Sequence, residues 1–384
     1  MAQAKIKKTL WRSFLAIVVL AFIALLFQPN PYFRKALWYL TANTDDYKIF
    51  PNRIIEPASH SSLLKKSEAY NTYMLNKNEM DYLHQFKTKS FLVIHNDSIR
   101  FESYYGNFYD TSICNSFSMA KSIVSLLVGA ARHEEHINSY NDPIINYIPG
   151  MDPENENISI DNLLNMSSGL KWDESYWNPF SATTRAYYGN NIEKLVTSLE
   201  SEEKPGKYFN YLSANTQLLG IILKNSTGET LSEYAERKLW HPIGAEHFAL
   251  WSIDKPEGME KAYCCFNATT RDFARIGQLI LHEGYYNKHQ IIDSSYIQKI
   301  KTPANHLKDD AQKAVGFYAA QWWLANYKDL DILYARGILG QYIIIVPSKE
   351  LVIVRLGDKR SKQKKNHHPL DFYKYLELGL KIIE

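Results

Sequence analysis

The stretch Phe117-Ser-Met-Ala-Lys-Ser-Ile-Val-Ser-Leu-Leu-Val-Gly-Ala-Ala131 is the part of the chain that most strongly indicates its fold. It predicts a helix from Ser116 to about Ala131, because its apolar residues recur at helical spacing. One face of this helix is formed by Met119, Ile123, Leu126, Leu127 and Ala130. Ser118 and Lys121 are three residues apart, so the sequence places a hydroxyl and an amine on the same side of the first turn.

The pair Ser118 and Lys121 has the chemistry of an activated nucleophile. A serine hydroxyl is a weak nucleophile unless a neighbouring base takes its proton. A lysine can do this when its amine is neutral, and its reference pKa of ~10.4 falls when the amine is desolvated or lies near other positive charge. The start of a helix adds such positive potential. The position of the pair therefore suits nucleophilic chemistry.

The Ser-x-x-Lys spacing alone is a weak signal in this chain. The same spacing also begins at Ser62, Ser168, Ser201, Ser252 and Ser361. Only the copy at Ser118 is followed by a long apolar helix, and Ala120 within it is small enough for close approach. The copies at Ser201 and Ser361 lie in highly charged segments, and we expect residues 359–368, rich in Lys and His, to form a solvated loop.

Strands are predicted near both ends of the chain and helices in its middle. Residues 90–105 form two β-rich runs around Asn96-Asp97, a hairpin signal, and residues 341–356 form a second hairpin. Further helices are predicted at 62–85, 160–166, 191–201, 213–226, 229–239, 268–284 and 369–382. We expect an α+β domain over 86–384, with one antiparallel sheet built from both ends and flanked by helices. Residues of about 135–260 would form an inserted all-helical lobe, with a site in the cleft beside it.

The N-terminal residues indicate a membrane segment. The apolar run Phe14–Phe27 is preceded by Lys5, Lys7, Lys8 and Arg12. The run fits the ~7–15 residues of a signal-peptide core and is shorter than the ~18 of a plain spanning helix. No Ala-x-Ala-like cleavage site follows it. We expect a short cytoplasmic N-terminus at 1–12, an uncleaved signal anchor at 13–28 and a loosely packed spacer at 29–85; a cleaved signal and a buried core helix are the alternatives.

Charge and cysteine content exclude several classes of partner. The chain has 44 basic and 41 acidic residues, a balance that does not favour nucleic-acid binding. Cys264 and Cys265 are neighbours, so a bond between them would be strained, and Cys114 is left over. We therefore expect no disulfide framework. The histidines and cysteines show no metal-ligand spacing, and we expect no metal site.

Six motifs follow one another over most of residues 85–360. They are Phe117-Ser-Met-Ala-Lys-Ser122, Asn162-Leu-Leu-Asn-Met-Ser-Ser-Gly-Leu170, Tyr208-Phe-Asn-Tyr-Leu-Ser-Ala-Asn-Thr-Gln-Leu-Leu-Gly220, Ala268-Thr-Thr-Arg-Asp-Phe-Ala-Arg-Ile-Gly277, Gln321-Trp-Trp323 and Gly337-Ile-Leu-Gly-Gln341. Together they resemble the serine β-lactamase and penicillin-recognising superfamily, in particular its class C-related branch. That branch includes esterases, D-aminopeptidase-type enzymes and 6-aminohexanoate-dimer hydrolases.

The resemblance implies a catalytic role for three residues. Ser118 would be the nucleophile, Lys121 its base, and Tyr211 would shuttle a proton to the leaving group, which acyl transfer requires. Ser213 stands where family motifs often have Asn, and it would bind substrate through its hydroxyl. The backbone N–H groups of Ser118 and Ile338 would form the oxyanion hole.

The third motif of the superfamily, Lys-Thr-Gly, is altered here to Ala335-Arg336-Gly337. Gly337 would keep the strand surface open to substrate. The missing lysine is the cation that would meet a penicillin carboxylate, so the change argues against β-lactam hydrolysis but not against ester or amide hydrolysis. Tyr176 would contact substrate by the same resemblance, although it is also explained as a packed aromatic residue. Of the neighbours Trp322 and Trp323, one would line the cleft and the other would pack, and we take Trp322 as the substrate contact.

These observations predict a serine hydrolase that cleaves a small-molecule or peptide-like ester or amide through an acyl-enzyme, without a cofactor. Its catalytic domain would be membrane-anchored and extracytoplasmic, in a bacterial periplasm or at the cell surface, because the N-terminal positive charges keep that end inside. The alternatives are a D,D-peptidase or β-lactamase, and a penicillin-binding-like receptor that is acylated without turnover.

Overall fold

The computed structural model describes residues 2–26, 30–59 and 63–384, and a seven-stranded antiparallel sheet lies at its centre. In spatial order the strands are Ser98–Tyr104, Thr88–His95, Leu351–Gly357, Gln341–Val346, Leu330–Gly337, Trp322–Tyr327 and Tyr318–Ala319. The N-terminal hairpin turns at Asn96 and Asp97, both of which have positive φ, as tight hairpin turns require. Because Thr88–His95 pairs with Leu351–Gly357, the expected sheet built from both ends is confirmed.

The helices cover both faces of this central sheet. Those of five or more residues are Ala2–Leu26, Tyr32–Tyr39, Lys77–Gln85, Met119–His133, Ile160–Leu164, Ala182–Tyr188, Ile192–Thr197, Ser213–Thr227, Leu231–Ala235, the π-helical Glu236–Trp240, Thr270–Leu281, Ser294–Lys301 and Leu370–Ile383. Short 3-10 turns occupy Asp46–Lys48, Ile144–Asn146, Pro153–Asn155, Ile338–Gly340 and Pro347–Lys349.

Two glycines let helices approach the sheet closely from opposite sides. A Cβ on Gly277 would lie 2.4 Å from Val352, and one on Gly379 would lie 2.2 Å from Ile353. Val352 and Ile353 are neighbours on one strand, so their side chains point to opposite faces. The sheet is therefore buried between Thr270–Leu281 and Leu370–Ile383, which gives the α+β arrangement that the sequence predicts.

Residues 30–59 form part of the folded domain, which corrects the spacer interpretation of 29–85. Phe33, Ala36, Phe50 and Ile55 are buried. A second sheet has the strands Asn52–Ile55, Ala249–Ser252, Phe266–Ala268 and Cys114–Asn115. The helix predicted at 62–85 is also shorter than expected, because it begins only at Lys77, behind a capping box on Asn76. Ser62 and Pro29 lie outside the described residues.

Two further details differ from expectation. The strand Ala249–Ser252 falls within 135–260, so this lobe is not wholly helical. Cys264 and Cys265 form a disulfide, although we expected none. The remaining strands form two small ribbons, Tyr285–Tyr286 with His289–Gln290 and Lys364–Lys365 with His368–Pro369.

The N-terminal helix Ala2–Leu26 is longer than the apolar run that predicted it. Its stretch Ile6–Leu25 spans 20 residues with a mean hydropathy of 1.8, and none of the described side chains in it is buried. By length and composition this helix is suited to a membrane anchor or a signal sequence. Residues 27 and 28 of the predicted anchor lie outside the described residues.

Candidate active site

Ser118 and Lys121 lie at the start of the helix Met119–His133, here termed the central helix, as the sequence predicts. Ser118 is its N-cap residue and is partly exposed, whereas Lys121 is only 1% exposed. Phe117, immediately before, has a φ of 45°. This backbone conformation is costly for a residue other than glycine, and such strain clusters at functional sites.

The amine of Lys121 has three oxygen neighbours. It lies 3.4 Å from Ser118 Oγ, 3.1 Å from Ser213 Oγ and 2.9 Å from the carbonyl oxygen of Tyr263. A neutral amine has two N–H donors and one lone pair. If the two N–H groups bond to Ser213 and Tyr263, the lone pair is left facing Ser118. The geometry thus suits proton transfer from Ser118 to Lys121.

Burial lowers the pKa of Lys121 to about 8. The cause is desolvation, which disfavours the ammonium form. The carboxylate of Glu174 acts in the opposite direction and limits the fall. A substantial fraction of Lys121 is consequently neutral near pH 8, as a base requires.

Tyr211 lies beside this pair, with its ring centroid 5.3 Å from Lys121 Nζ. Burial raises the pKa of Tyr211 to about 12, while a hydrogen bond with Ser118 and the positive charges of Arg336 and Arg360 act against the rise. Its hydroxyl therefore remains protonated at neutral pH and is suited to donate a proton. The structure brings together Ser118, Lys121, Tyr211 and Ser213.

Glu174 is a site residue that the sequence reasoning missed. Its carboxylate accepts hydrogen bonds from Trp172 Nε1 (2.8 Å), Tyr176 OH (2.6 Å), the backbone N–H of Ser213 (2.7 Å) and Ser213 Oγ (2.6 Å). A continuous chain of hydrogen bonds thus joins Lys121, Ser213 and Glu174. Glu174 fixes the orientation of Ser213 and places a negative charge near the amine.

Gly337 and Ile338 lie next to the start of the central helix. A Cβ on Gly337 would lie 2.3 Å from the backbone oxygen of Ser116, so only glycine fits between this strand and the Ser118 loop. The structure thus gives Gly337 a role in backbone packing, and its role toward substrate stays a prediction. Ile338 and Ser118 both line the same cleft.

The two aromatic residues proposed as substrate contacts are placed differently. Tyr176 is 41% exposed and lines the cleft. Trp322 is wrong as a cleft residue, because its side chain is fully buried in the core. Its neighbour Trp323 points to the other face of the strand, where it packs 5.7 Å from the Tyr211 ring and lies beneath the Arg336 guanidinium.

The cleft that contains Ser118 has a volume of about 1070 Å³. Apolar residues of Tyr32–Tyr39 and aromatic residues of the 172–188 segment line one part of it. Another part is lined by Lys359, Arg360, Ser361, Lys362 and Lys364. The predicted solvated loop at 359–368 therefore contributes to the wall of the cleft. Within the described ranges, no group of three or more His, Cys, Asp or Glu side chains is arranged to hold a metal ion.

Comparison with known proteins identifies the family of the chain. A family model described as beta-lactamase matches residues 75–372. A 6-aminohexanoate-dimer hydrolase of Paenarthrobacter ureafaciens is 24% identical over 300 residues, which cover 74% of this chain and 76% of the relative.

Solved structures share the fold. A Bacillus anthracis protein described as a candidate 6-aminohexanoate-dimer hydrolase superposes with a TM-score of 0.72 at 20% identity, covering 92% of this chain and 94% of the other. A family VIII carboxylesterase superposes with a TM-score of 0.60 at 14% identity, covering 77% of this chain and 92% of the other.

Proposed function

Because this chain belongs to the β-lactamase family and its relatives are hydrolases, we propose that it cleaves an ester or amide bond through an acyl-enzyme on Ser118. The observation that carries the proposal is the environment of Lys121. Its amine is buried, its pKa is lowered to about 8, and its remaining free direction faces a partly exposed serine hydroxyl. Desolvation of this kind is how lysine becomes a general base.

The reaction would proceed in two halves. Ser118 Oγ attacks the substrate carbonyl carbon while Lys121 Nζ takes its proton, and the backbone N–H groups of Ser118 and Ile338 stabilise the oxyanion. Tyr211 donates a proton to the departing oxygen or nitrogen, the carbonyl–heteroatom bond breaks, and the tyrosinate recovers its proton from the lysine. Water then attacks the acyl-Ser118 ester in the same way and restores the free serine. No residue changes its net charge over the cycle.

The likeness to 6-aminohexanoate-dimer hydrolases favours a small ester or amide over a β-lactam. Ala335 occupies the place of the family lysine and is fully buried, so it supplies no cation for a penicillin carboxylate. Tyr176 and Tyr263 line the cleft. The Tyr263 hydroxyl is buried and has no hydrogen-bond partner in the described part of the chain.

The N-terminal helix supports an anchored enzyme with an extracytoplasmic domain. Its side chains Leu10, Phe14 and Leu20 are more than half exposed. Such a surface is stable only in a bilayer or another apolar environment. The basic residues before it would remain in the cytoplasm.

The experiment that tests the proposal compares Ser118→Ala with Ser361→Ala. Both serines begin a Ser-x-x-Lys sequence and line the same cleft, but among the described residues Ser361 Oγ bonds to the backbone of Gln363 and to no lysine. The full chain in detergent is exposed to a fluorophosphonate and, separately, to p-nitrophenyl acetate. We expect one adduct by intact mass and steady turnover in wild type and Ser361→Ala, and neither in Ser118→Ala, with a loss of ~10³-fold or more.

Two other outcomes would reject the proposal. An adduct that survives in Ser118→Ala would place the nucleophile elsewhere. An adduct on Ser118 without steady ester turnover would favour a receptor that is acylated but does not release product. Tyr211→Phe separates the steps further, because it should slow turnover by ~10²-fold while leaving the fluorophosphonate adduct in place.

A further inference from the structure

Five exposed apolar side chains lie on two segments that contribute to the lining of the cleft. This apolar rim consists of Leu37, Trp38, Leu40, Trp177 and Phe180, which are 38%, 81%, 73%, 80% and 58% exposed. The two segments that carry the rim are packed together, because the Phe180 ring stacks on Phe33 at 5.3 Å, and Phe33 is buried in the helix Tyr32–Tyr39. Large exposed apolar side chains grouped on packed segments are typical of an interaction site.

The apolar rim belongs to the site that holds Ser118. Leu37, Leu40 and Trp177 line the same cleft as Ser118 and Tyr176. Outside the N-terminal helix, Trp38 and Trp177 are the two strongly exposed tryptophans of the described residues. Tryptophan is the residue most typical of the boundary between lipid and water.

The rim is also close in sequence to the N-terminal helix. That helix ends at Leu26, and Tyr32–Tyr39 begins six residues later. Six residues span at most about 20 Å even when fully extended. If the N-terminal helix crosses a bilayer, the start of Tyr32–Tyr39 is held within about 20 Å of the bilayer surface.

The lining of the cleft also carries positive charge. Lys359, Arg360, Lys362 and Lys364 line it. Arg360, Lys362 and Lys364 form no ion pair with another described residue. Burial and the charges of Arg336 and Arg360 lower the pKa of Lys364. Unpaired cations beside an apolar surface complement anionic lipid head groups.

We infer that the apolar rim binds the surface of the bilayer that holds the N-terminal helix, so that the mouth of the active-site cleft faces this surface. The enzyme then acts on a lipophilic ester or amide that it takes from the bilayer. This inference rests on the proposed hydrolase function and anchor. The rim enters the interfacial region, the basic residues meet anionic head groups, and an acyl chain passes between Leu37, Leu40 and Trp177 to reach Ser118. A substrate dissolved in water would gain nothing from exposed tryptophans at the mouth.

The test uses the full chain reconstituted in vesicles of phosphatidylcholine and phosphatidylglycerol. Two esters are compared: p-nitrophenyl palmitate, which partitions into the bilayer, and p-nitrophenyl acetate, which stays in water. Trp38→Ser should slow palmitate cleavage about three- to tenfold, the effect of removing one interfacial tryptophan, and leave acetate cleavage unchanged. Trp38 does not line the cleft, and its exposure makes a folding defect unexpected.

A matched control and a physical readout complete the test. Met74→Ser removes an equally exposed apolar side chain, 83% exposed and outside the cleft, and should affect neither ester. Brominated phosphatidylcholine quenches tryptophans that enter the bilayer. Trp38→Phe should lower the quenched fraction of the fluorescence while preserving palmitate cleavage.

Three results would overturn the inference. They are equal slowing of both esters by Trp38→Ser, equal slowing of palmitate by Met74→Ser, and a quenched fraction that Trp38→Phe leaves unchanged. If the wild type cleaves neither ester, the hydrolase proposal and the lipophilic substrate fail together, whereas the quenching measurement still decides whether the rim contacts lipid.

Discussion

Two lysines of this protein, Lys121 and Lys261, are buried to the same degree but have different surroundings. They are 1% and 0% exposed, and desolvation lowers their pKa values to about 8 and about 7. The amine of Lys261 donates to the carbonyl oxygen of Ile253 at 3.2 Å and lies 4.2 Å from the centre of the Phe50 ring. Lys121 instead faces two serine hydroxyls.

This difference shows that a depressed pKa does not by itself identify a base. A catalytic base must also lie within reach of the proton that it removes. Among the described residues, Lys261 has no hydroxyl or thiol neighbour that could act as a nucleophile, although its pKa is the lower of the two. The geometry of the first turn of the central helix, rather than burial, makes Lys121 the candidate.

The variant Lys121→Ala tests most directly whether Lys121 is the catalytic base. Lys121 is the group that the described residues place to accept the Ser118 proton, so we expect its removal to lower kcat/KM for p-nitrophenyl acetate by ~10³-fold or more. Lys121→Arg should not rescue the activity, because a guanidinium stays protonated. Retention of more than a tenth of the activity in Lys121→Ala would mean that another group activates Ser118.

The variant Glu174→Gln tests how the surroundings of Lys121 set its pKa. In wild type, kcat/KM should rise with pH and level off above about 8, since only the neutral amine acts as base. Glu174 raises the pKa of Lys121, so its neutralisation should move the midpoint of this rise to lower pH. It should also lower the plateau about tenfold, because Ser213 loses a charged hydrogen-bond partner.

A matched control for this change is Glu202→Gln, which removes a carboxylate from the same lobe that pairs with Lys171 on the surface. It should leave the pH profile unchanged. If the midpoint of the pH profile of Glu174→Gln stays in place or moves to higher pH, Glu174 does not raise the pKa of Lys121.

The features of this site that lie within a short stretch of sequence could be predicted, and those that depend on distant residues could not. The central helix was predicted because its apolar stripe and its polar first turn lie within 16 consecutive residues, 116–131. Glu174 could not be identified, because it comes from a loop and gains its partners Ser213 and Lys121 only through tertiary packing. Its position two residues before Tyr176 was the one available signal.

The errors in the fold have the same origin. Residues 30–59 look like a polar spacer, but Asn52–Ile55 pairs with Ala249–Ser252, about 200 residues away. Such a partner cannot be identified from local patterns. Trp322 and Trp323 alternate between the two faces of one strand, and the sequence gives no sign of which face is the core until the strand pairs with Leu330–Gly337.

The variant Lys261→Met should have little effect on activity, and it tests whether Lys261 takes part in the reaction. Since Lys261 has no nucleophile beside it, kcat/KM should stay within about twofold of wild type. Lys121 and Ser118 keep all their hydrogen bonds in this variant. A loss of activity comparable to that of Lys121→Ala would refute the distinction between the two lysines.

Stability should change instead, with a sign that depends on pH. The folded pKa of Lys261 is lowered to about 7 and that of an unfolded lysine is ~10.4, so between these values the unfolded state holds a proton that the folded state lacks. The free-energy cost of burying this amine has its full value below pH 7 and disappears as the pH rises towards 10.4.

Lys261→Met should therefore raise the free energy of unfolding by about 1 kcal/mol or more at pH 6. The gain should vanish near pH 10, as thermal unfolding at the two pH values would show. A gain that is equal at both pH values would point to better apolar packing rather than to removal of a buried charge.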